Sequence, residues 1–128
     1  MPIKKKKEES RDKLRVTRVL PVDITIVDML DSTHHLMEGS SFGGRTINIS
    51  RTGLLVNSDY ELDPKTVVDV LLEIDKPAKH KITVRAEVAW AKKNAIDIYG
   101  RWAMGLHIVK AKPSELEALH TFFESISH

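Results

Sequence analysis

Six short apolar runs, separated by turn signals and with no helical pattern between them, constrain the fold of this chain more than any other feature. In segments 19–27 and 81–91, apolar residues alternate with polar or small ones, which is typical of strands with one buried face. Gly53 and Pro64 mark turns between such runs. The predicted strands are 19–27, 46–49, 54–57, 66–74, 81–91 and 101–109. Short strands in unbroken succession predict an antiparallel β-barrel.

A single helix is predicted after the last strand. Ser114 and Glu117 fit a capping box directly after Pro113. An apolar stripe at helical spacing follows, formed by Leu116, Leu119, Phe123 and Ile126. The stripe favours a core-closing helix over a partner-binding one. The predicted fold class is therefore all-β with a C-terminal helix, a six-stranded antiparallel β-barrel closed by one α-helix.

The charge of the chain is distributed unevenly. Residues 1–18 hold eight Lys or Arg against three Asp or Glu, whereas the remaining chain holds twelve against fifteen. At 128 residues the chain is long enough for one core. We therefore predict a flexible basic N-terminal arm over 1–18 and one barrel domain with its helix over 19–128. The lysine run 4–7 is either a solubilising tail or an aid to anion capture.

Several classes of function are disfavoured by the sequence. The chain has no cysteine, which excludes disulfides and thiolate metal sites but does not fix the compartment. It has no apolar run long enough to cross a membrane and no signal-peptide pattern, so we expect no membrane insertion and take a cytoplasmic location as the default. Its six histidines show no metal-ligand spacing, and neither a nucleophile elbow nor a phosphate-binding loop is present. We expect no enzyme activity, no metal and no resident cofactor.

Two motifs combine chemistry suited to a purine nucleotide. Arg11 and Arg15 form an R-x-x-x-R pair in the basic arm, and an Arg fork binds phosphate or the Hoogsteen edge of guanine bidentately. Asn48, Ser50 and Gly53 form an N-x-S-x-x-G pattern between two predicted strands. Amide and hydroxyl groups can finish the recognition of a base edge. Alone, the first motif fits a solvated charged arm and the second an ordinary hairpin turn.

The order of these motifs and their flanking sequence resemble the PilZ domain, a family of bacterial receptors for the second messenger cyclic di-GMP. Segment 20–22 (Leu-Pro-Val) follows Arg15 at the family spacing. The late segments 86–90 (Ala-Glu-Val-Ala-Trp) and 102–108 (Trp-Ala-Met-Gly-Leu-His-Ile) and the closing helix also match. The resemblance covers the chain from about residue 11 to residue 126.

This resemblance implies a cyclic di-GMP receptor with a defined set of ligand-binding residues. These are Arg11, Arg15, Asn48, Ser50 and Gly53. Trp90 is added because the family often presents an aromatic side chain to a ligand base there, although it also continues the apolar alternation of its strand. Arg18 is either an auxiliary contact or a solvent-facing residue. The family accepts Asp or Asn at the first position of the second motif, and Asn48 gives up the charge-assisted bonds of a carboxylate.

The resemblance also suggests how a signal could leave the domain. Ligand binding would order the arm against the barrel and create a surface for a downstream protein. The segment 28–45, predicted as a loop, is longer than the usual connection, and it could reshape the ligand site, contact a partner or be disordered. Binding of one cyclic di-GMP or of a stacked pair is left open.

Two other functions compete with this one. The first is a PilZ-like adaptor that binds proteins but no ligand. The second is a small barrel that binds single-stranded nucleic acid, which normally requires several exposed aromatic side chains. The chain has only seven aromatic residues, so we expect no nucleic-acid polymer as a partner.

Overall fold

The computed structural model describes residues 16–29, 37–76, 78–95 and 100–126. Within these ranges the chain forms seven strands and one helix. The strands are β1 (Val16–Thr17), β2 (Pro21–Asp28), β3 (Ser41–Ile49), β4 (Gly53–Ser58), β5 (Val67–Ile74), β6 (His80–Lys93) and β7 (Trp102–Ala111), and the helix is α1 (Pro113–Ile126).

Six of the strands close into an antiparallel barrel. Neighbouring strands follow the order β3, β2, β5, β6, β7, β4, and β4 pairs again with β3. The two-residue β1 pairs with the end of β3, beyond the stretch that β2 occupies. The predicted six-stranded barrel with one closing helix is confirmed.

The core fills the barrel with alternate side chains of every long strand. In β5, for example, Val68, Val70 and Leu72 are buried while the residues between them are half-exposed. The helix adds Phe122 and Phe123 to the same core. Complete burial of such side chains contributes about 1.5–3 kcal/mol each to the hydrophobic driving force. No helix in the described part of the chain has the length and apolar character needed to cross a membrane.

The predicted loop over 28–45 is wrong at its C-terminal end, because β3 begins at Ser41 instead of residue 46. Residues 41–45 pair with β2 despite two adjacent glycines. At Gly44 a Cβ would lie 2.7 Å from the Asn57 carbonyl oxygen, so the glycine permits close approach of β3 and β4. Phe42 is buried and keeps this end of the strand attached to the core. Residues 30–36 of the predicted loop lie outside the described residues.

A buried threonine fixes the start of the barrel. The hydroxyl of Thr46 accepts a hydrogen bond from the Leu20 N–H at 2.8 Å and donates one to the Arg18 carbonyl at 2.5 Å. These bonds bridge the gap between β1 and β2, where the regular ladder with β3 is interrupted. The structure describes only residues 16–18 of the predicted arm, and the division at 18–19 stays a prediction.

Candidate functional site

The candidate site is a surface cavity of about 160 Å³ where the β3–β4 turn meets β6 and β7. Four of the seven predicted ligand-binding residues line it, namely Asn48, Ser50, Gly53 and Trp90. They come from parts of the chain up to 42 positions apart (48 to 90), and the barrel brings them together.

A cross-strand row forms one part of the site. Asn48 on β3 lies opposite Leu55 on β4. Leu55 lies opposite Gly105 on β7, and Gly105 lies opposite Trp90 on β6. The indole of Trp90 lies directly over Gly105, where a Cβ would overlap the ring. Glycine at this position therefore lets an aromatic side chain cover the neighbouring strand.

A β-bulge turns Asn48 outward. The register of β3 against β4 shifts between Thr46 and Asn48, so one extra residue, Ile47, is inserted. Without this bulge Asn48 would share the inward face with Thr46, since side chains two apart on a strand point the same way. Instead Ile49 is fully buried and Asn48 is half-buried at the cavity. Among the described residues, no side-chain hydrogen bond occupies the Asn48 amide.

A second bulge turns Trp90 outward on the opposite flank. The register of β6 against β7 shifts between Val88 and Trp90, which makes Ala89 the extra residue. Val88 is 1% exposed, whereas Trp90 is 39% exposed. The apolar alternation that suggested a buried position for Trp90 therefore ends at the bulge, and the indole faces the cavity.

The hydroxyl of Ser50 organises the turn. Ser50 is buried, its N–H donates to the Gly53 carbonyl at 2.9 Å, and its Oγ accepts from the Gly53 N–H at 3.1 Å. The same Oγ is 3.3 Å from the Gly53 carbonyl oxygen and 3.4 Å from the Thr52 nitrogen. These bonds fix the backbone that forms one wall of the cavity.

Gly53 is required by a close approach between strands. Its φ lies outside the left-handed region, so no unusual backbone conformation demands glycine here. A Cβ at this position, however, would be 2.5 Å from the Leu106 carbonyl oxygen on β7. Any side chain would therefore push β4 away from β7.

The turn is also anchored to the helix. Arg51, which follows Ser50, forms an ion pair with Glu124 of α1, and its guanidinium lies 5.8 Å from the centre of the Phe123 ring. Sequence reasoning missed this contact, because nothing in the motif indicates a partner 73 positions away. It also missed Thr52 and His107, which line the cavity.

The arginines of the predicted site are separated from this cavity or lie outside the described residues. Arg18 forms an ion pair with Asp75 at 2.6 Å and is not among the residues lining the cavity. Arg11 and Arg15 lie outside the described residues. The described chain starts at Val16, whose partner on β3 is Ile49, the residue before Ser50.

Charged side chains of β5 and β6 form surface pairs away from the cavity. Arg85 and Asp69 face each other across β5 and β6, with N–O distances of 2.9 and 3.2 Å. The hydrogen bond and charge of Asp69 raise the pKa of Arg85 above its ordinary value. In the ranges that the structure describes, no three His, Cys, Asp or Glu side chains are grouped to hold a metal ion.

These features define a small β-barrel domain whose outer face carries a cavity lined by polar and aromatic side chains. The chain belongs to the PilZ domain family, whose model matches residues 9–125. The predicted family is thereby confirmed. No curated protein sequence matches the chain.

Solved structures with the same fold include three relatives of low sequence identity. The inhibitor of motility MotI (DgrA) of Bacillus subtilis superposes with a TM-score of 0.65 at 15% identity, over 88% of this chain and 49% of that one. The PilZ domain of CeSA from a cellulose-synthesizing bacterium gives 0.60 at 14%, over 90% and 99%. The PilZ domain of Escherichia coli YcgR, solved with cyclic di-GMP, gives 0.61 at 9%, over 88% and 88%. The chain thus spans about half the length of MotI.

Replacement of Gly53 by alanine should destabilise the free protein. The added Cβ would meet the Leu106 carbonyl oxygen at 2.5 Å, and the required backbone shift should cost about 1–3 kcal/mol. Urea unfolding without ligand measures this change in the free energy of unfolding. Gly43→Ala is the matched control, since its nearest neighbours outside the adjacent residues are at 3.9 and 4.0 Å. Equal stability of the two variants would contradict the close approach.

Proposed function

We propose that the protein is a receptor that binds cyclic di-GMP at the β3–β4 turn. The observation that carries the proposal is that Asn48, Ser50, Gly53 and Trp90 line the same cavity. Membership of the PilZ family supports it, as does the relative from E. coli that is described with cyclic di-GMP. The proposed role is that of a cytoplasmic signalling receptor and not of an enzyme.

Each lining residue has a distinct role in this proposal. The exposed indole of Trp90 stacks on a guanine, which contributes about 1–3 kcal/mol. The amide of Asn48, on the opposite flank, supplies a donor and an acceptor for the edge of that base. Ser50 keeps the turn in shape through its bonds to Gly53, and the absence of a side chain at Gly53 keeps the strands close together.

The size of the cavity argues that the arm completes the site. A volume of about 160 Å³ is small beside the roughly 300–1,000 Å³ of pockets that enclose a drug-sized ligand. The barrel surface therefore covers part of a cyclic dinucleotide and leaves the rest open. In our proposal Arg11 and Arg15 cover this remainder, binding phosphate oxygens and guanine edges through their guanidinium groups.

The position of Val16 on the barrel fits this role of the arm. Val16 lies opposite Ile49, next to the turn that forms the cavity. Arg11 is five positions earlier, and an extended chain of five residues spans roughly 17 Å. We propose that the arm brings both arginines to the ligand. The ion pair with Asp75 favours an anchoring role for Arg18 at the base of the arm over direct ligand contact.

Ordering of the arm is the proposed signal. In this proposal, ligand binding orders the arm against the barrel, and a downstream protein recognises the resulting surface.

Isothermal titration with cyclic di-GMP tests the proposal. We expect a dissociation constant in the micromolar range or below, equivalent to about −8 kcal/mol or tighter. The same titration distinguishes one bound nucleotide from a stacked pair through its stoichiometry. GTP at the same concentration is the control for unspecific nucleotide binding. A protein concentration of 100 μM is roughly a hundred times a micromolar dissociation constant. Absence of binding at this concentration would favour the alternative function, a PilZ-like adaptor that binds proteins but no ligand.

Replacement of Arg15 by alanine should weaken cyclic di-GMP binding more than tenfold. The change removes a charge-assisted, bidentate donor, which contributes several kcal/mol when partly desolvated. Lys13→Ala removes one positive charge from the same R-x-x-x-R segment and is the matched control. Calorimetric titration of both variants gives the comparison. If both lose affinity equally, the arm acts through its net charge and not through a specific Arg15 contact.

Stacking on Trp90 should be visible by fluorescence, because the chain has only two tryptophans. In a Trp102→Phe variant, cyclic di-GMP should change the emission of Trp90 as the base covers its ring. In a Trp90→Phe variant, the emission of Trp102 should stay constant, since Trp102 does not line the cavity. A response from Trp102 alone would place the ligand elsewhere.

A further inference from the structure

We propose that His107 is an additional ligand-binding residue that contacts the sugar-phosphate part of the bound cyclic dinucleotide. This inference rests on the proposed function and adds a residue that belongs to neither motif. His107 lies on β7, is exposed and lines the same cavity as Asn48 and Trp90.

The position of His107 follows from the strand register. It lies directly opposite Gly53 on β4, and it shares the outward face of β7 with Gly105, since residues two apart point the same way. Because Gly53 has no side chain, the neighbouring strand does not cover the imidazole from that side. The other cross-strand neighbour of His107 is Glu87 on β6, whose side chain does not line the cavity.

The distance along β7 matches the length of a nucleotide. Trp90 lies opposite Gly105 of β7. His107 is two residues after Gly105 on the same strand, a distance of about 6.6–6.8 Å. When the ribose of a guanine stacked on Trp90 points towards the β3–β4 turn, this ribose and its phosphate extend to the level of His107. This direction also points to Val16, where the arm joins the barrel.

The backbone near His107 has few groups left for a ligand. The N–H of Gly53 is bonded to Ser50, and the carbonyl of Thr52 accepts the Ile108 N–H at 2.9 Å. Side chains must therefore supply the hydrogen bonds at this level. The imidazole of His107 carries at least one N–H donor in every protonation state, and phosphodiester oxygens accept such bonds.

Three variants test the assignment by calorimetric titration with cyclic di-GMP. His107→Ala should weaken binding about 10-fold or more, as expected for loss of a hydrogen bond to a charged group. His107→Gln, which retains an N–H donor, should recover part of this loss. Val109→Ala is the matched control, because Val109 lies on the same strand, is 49% exposed and does not line the cavity. Its affinity should stay within twofold of the wild type.

A second measurement separates a phosphate contact from a change in base stacking. In the Trp102→Phe background, His107→Ala should shift the midpoint of the Trp90 fluorescence titration but keep its amplitude at saturation. The melting temperature of the free variant should stay unchanged, since His107 is exposed.

The possible failures are distinguishable. Unchanged affinity of His107→Ala, an equal loss in Val109→Ala, or a lower melting temperature that accounts for the loss would overturn the assignment of His107 and leave the proposed function intact. A lower amplitude would show that His107 acts on the stacked base, which also contradicts the phosphate contact. Absence of cyclic di-GMP binding by the wild type would overturn both proposals.

Discussion

The pairing of β3 with β4 is the constraint on which both the core and the candidate site depend. It closes the ring of six strands, and the turn that connects the two strands carries Ser50 and Gly53. The hydrogen bonds of this turn thus serve barrel closure and site geometry together. The same turn is tied to α1 by Arg51. A ligand that binds the turn therefore meets a backbone already held by these bonds, which lowers the cost of organising that part of the proposed site.

Two bulges make this closed barrel into a binding surface. Each inserts one residue, at Ile47 in β3 and at Ala89 in β6, and each reverses the facing of the residue that follows. Beyond the bulge in β3, side chains again point alternately outward and inward, as the burial of Ile49 after Asn48 shows. The barrel therefore keeps its core while exposing Asn48 and Trp90 on one outer face. Without the bulges both side chains would compete for space inside the barrel.

The parts of the structure that follow from local patterns could be predicted from the sequence, whereas those set by register could not. Alternation located the strands, and the apolar stripe located the helix. The helix begins at Pro113, so Ser114 lies inside it and the predicted capping box does not mark its start. The start of β3 was missed because Gly43 and Gly44 have the composition of a loop, although the strands around them need small residues. The bulges leave no local signal, since inserted residues such as Ile47 and Ala89 have no distinctive chemistry. The resemblance indicated four residues that line the cavity. The outward orientation of Trp90, the partner of Arg18 and the position of His107 depend on the pairing of distant strands and could not be predicted.

The proposed site combines two halves with different energetics. The half on the barrel is fixed before any ligand arrives, by the Ser50 hydrogen bonds and by the approach of Gly53 to Leu106. In the proposed mechanism the half on the arm is ordered only on binding, at about 1–2 kcal/mol for each backbone residue that loses its freedom. The guanidinium contacts of the arm must offset this cost, so the rigid half alone retains a ligand weakly. Affinity and signal then have the same origin, because the contacts that tighten binding are those that order the arm.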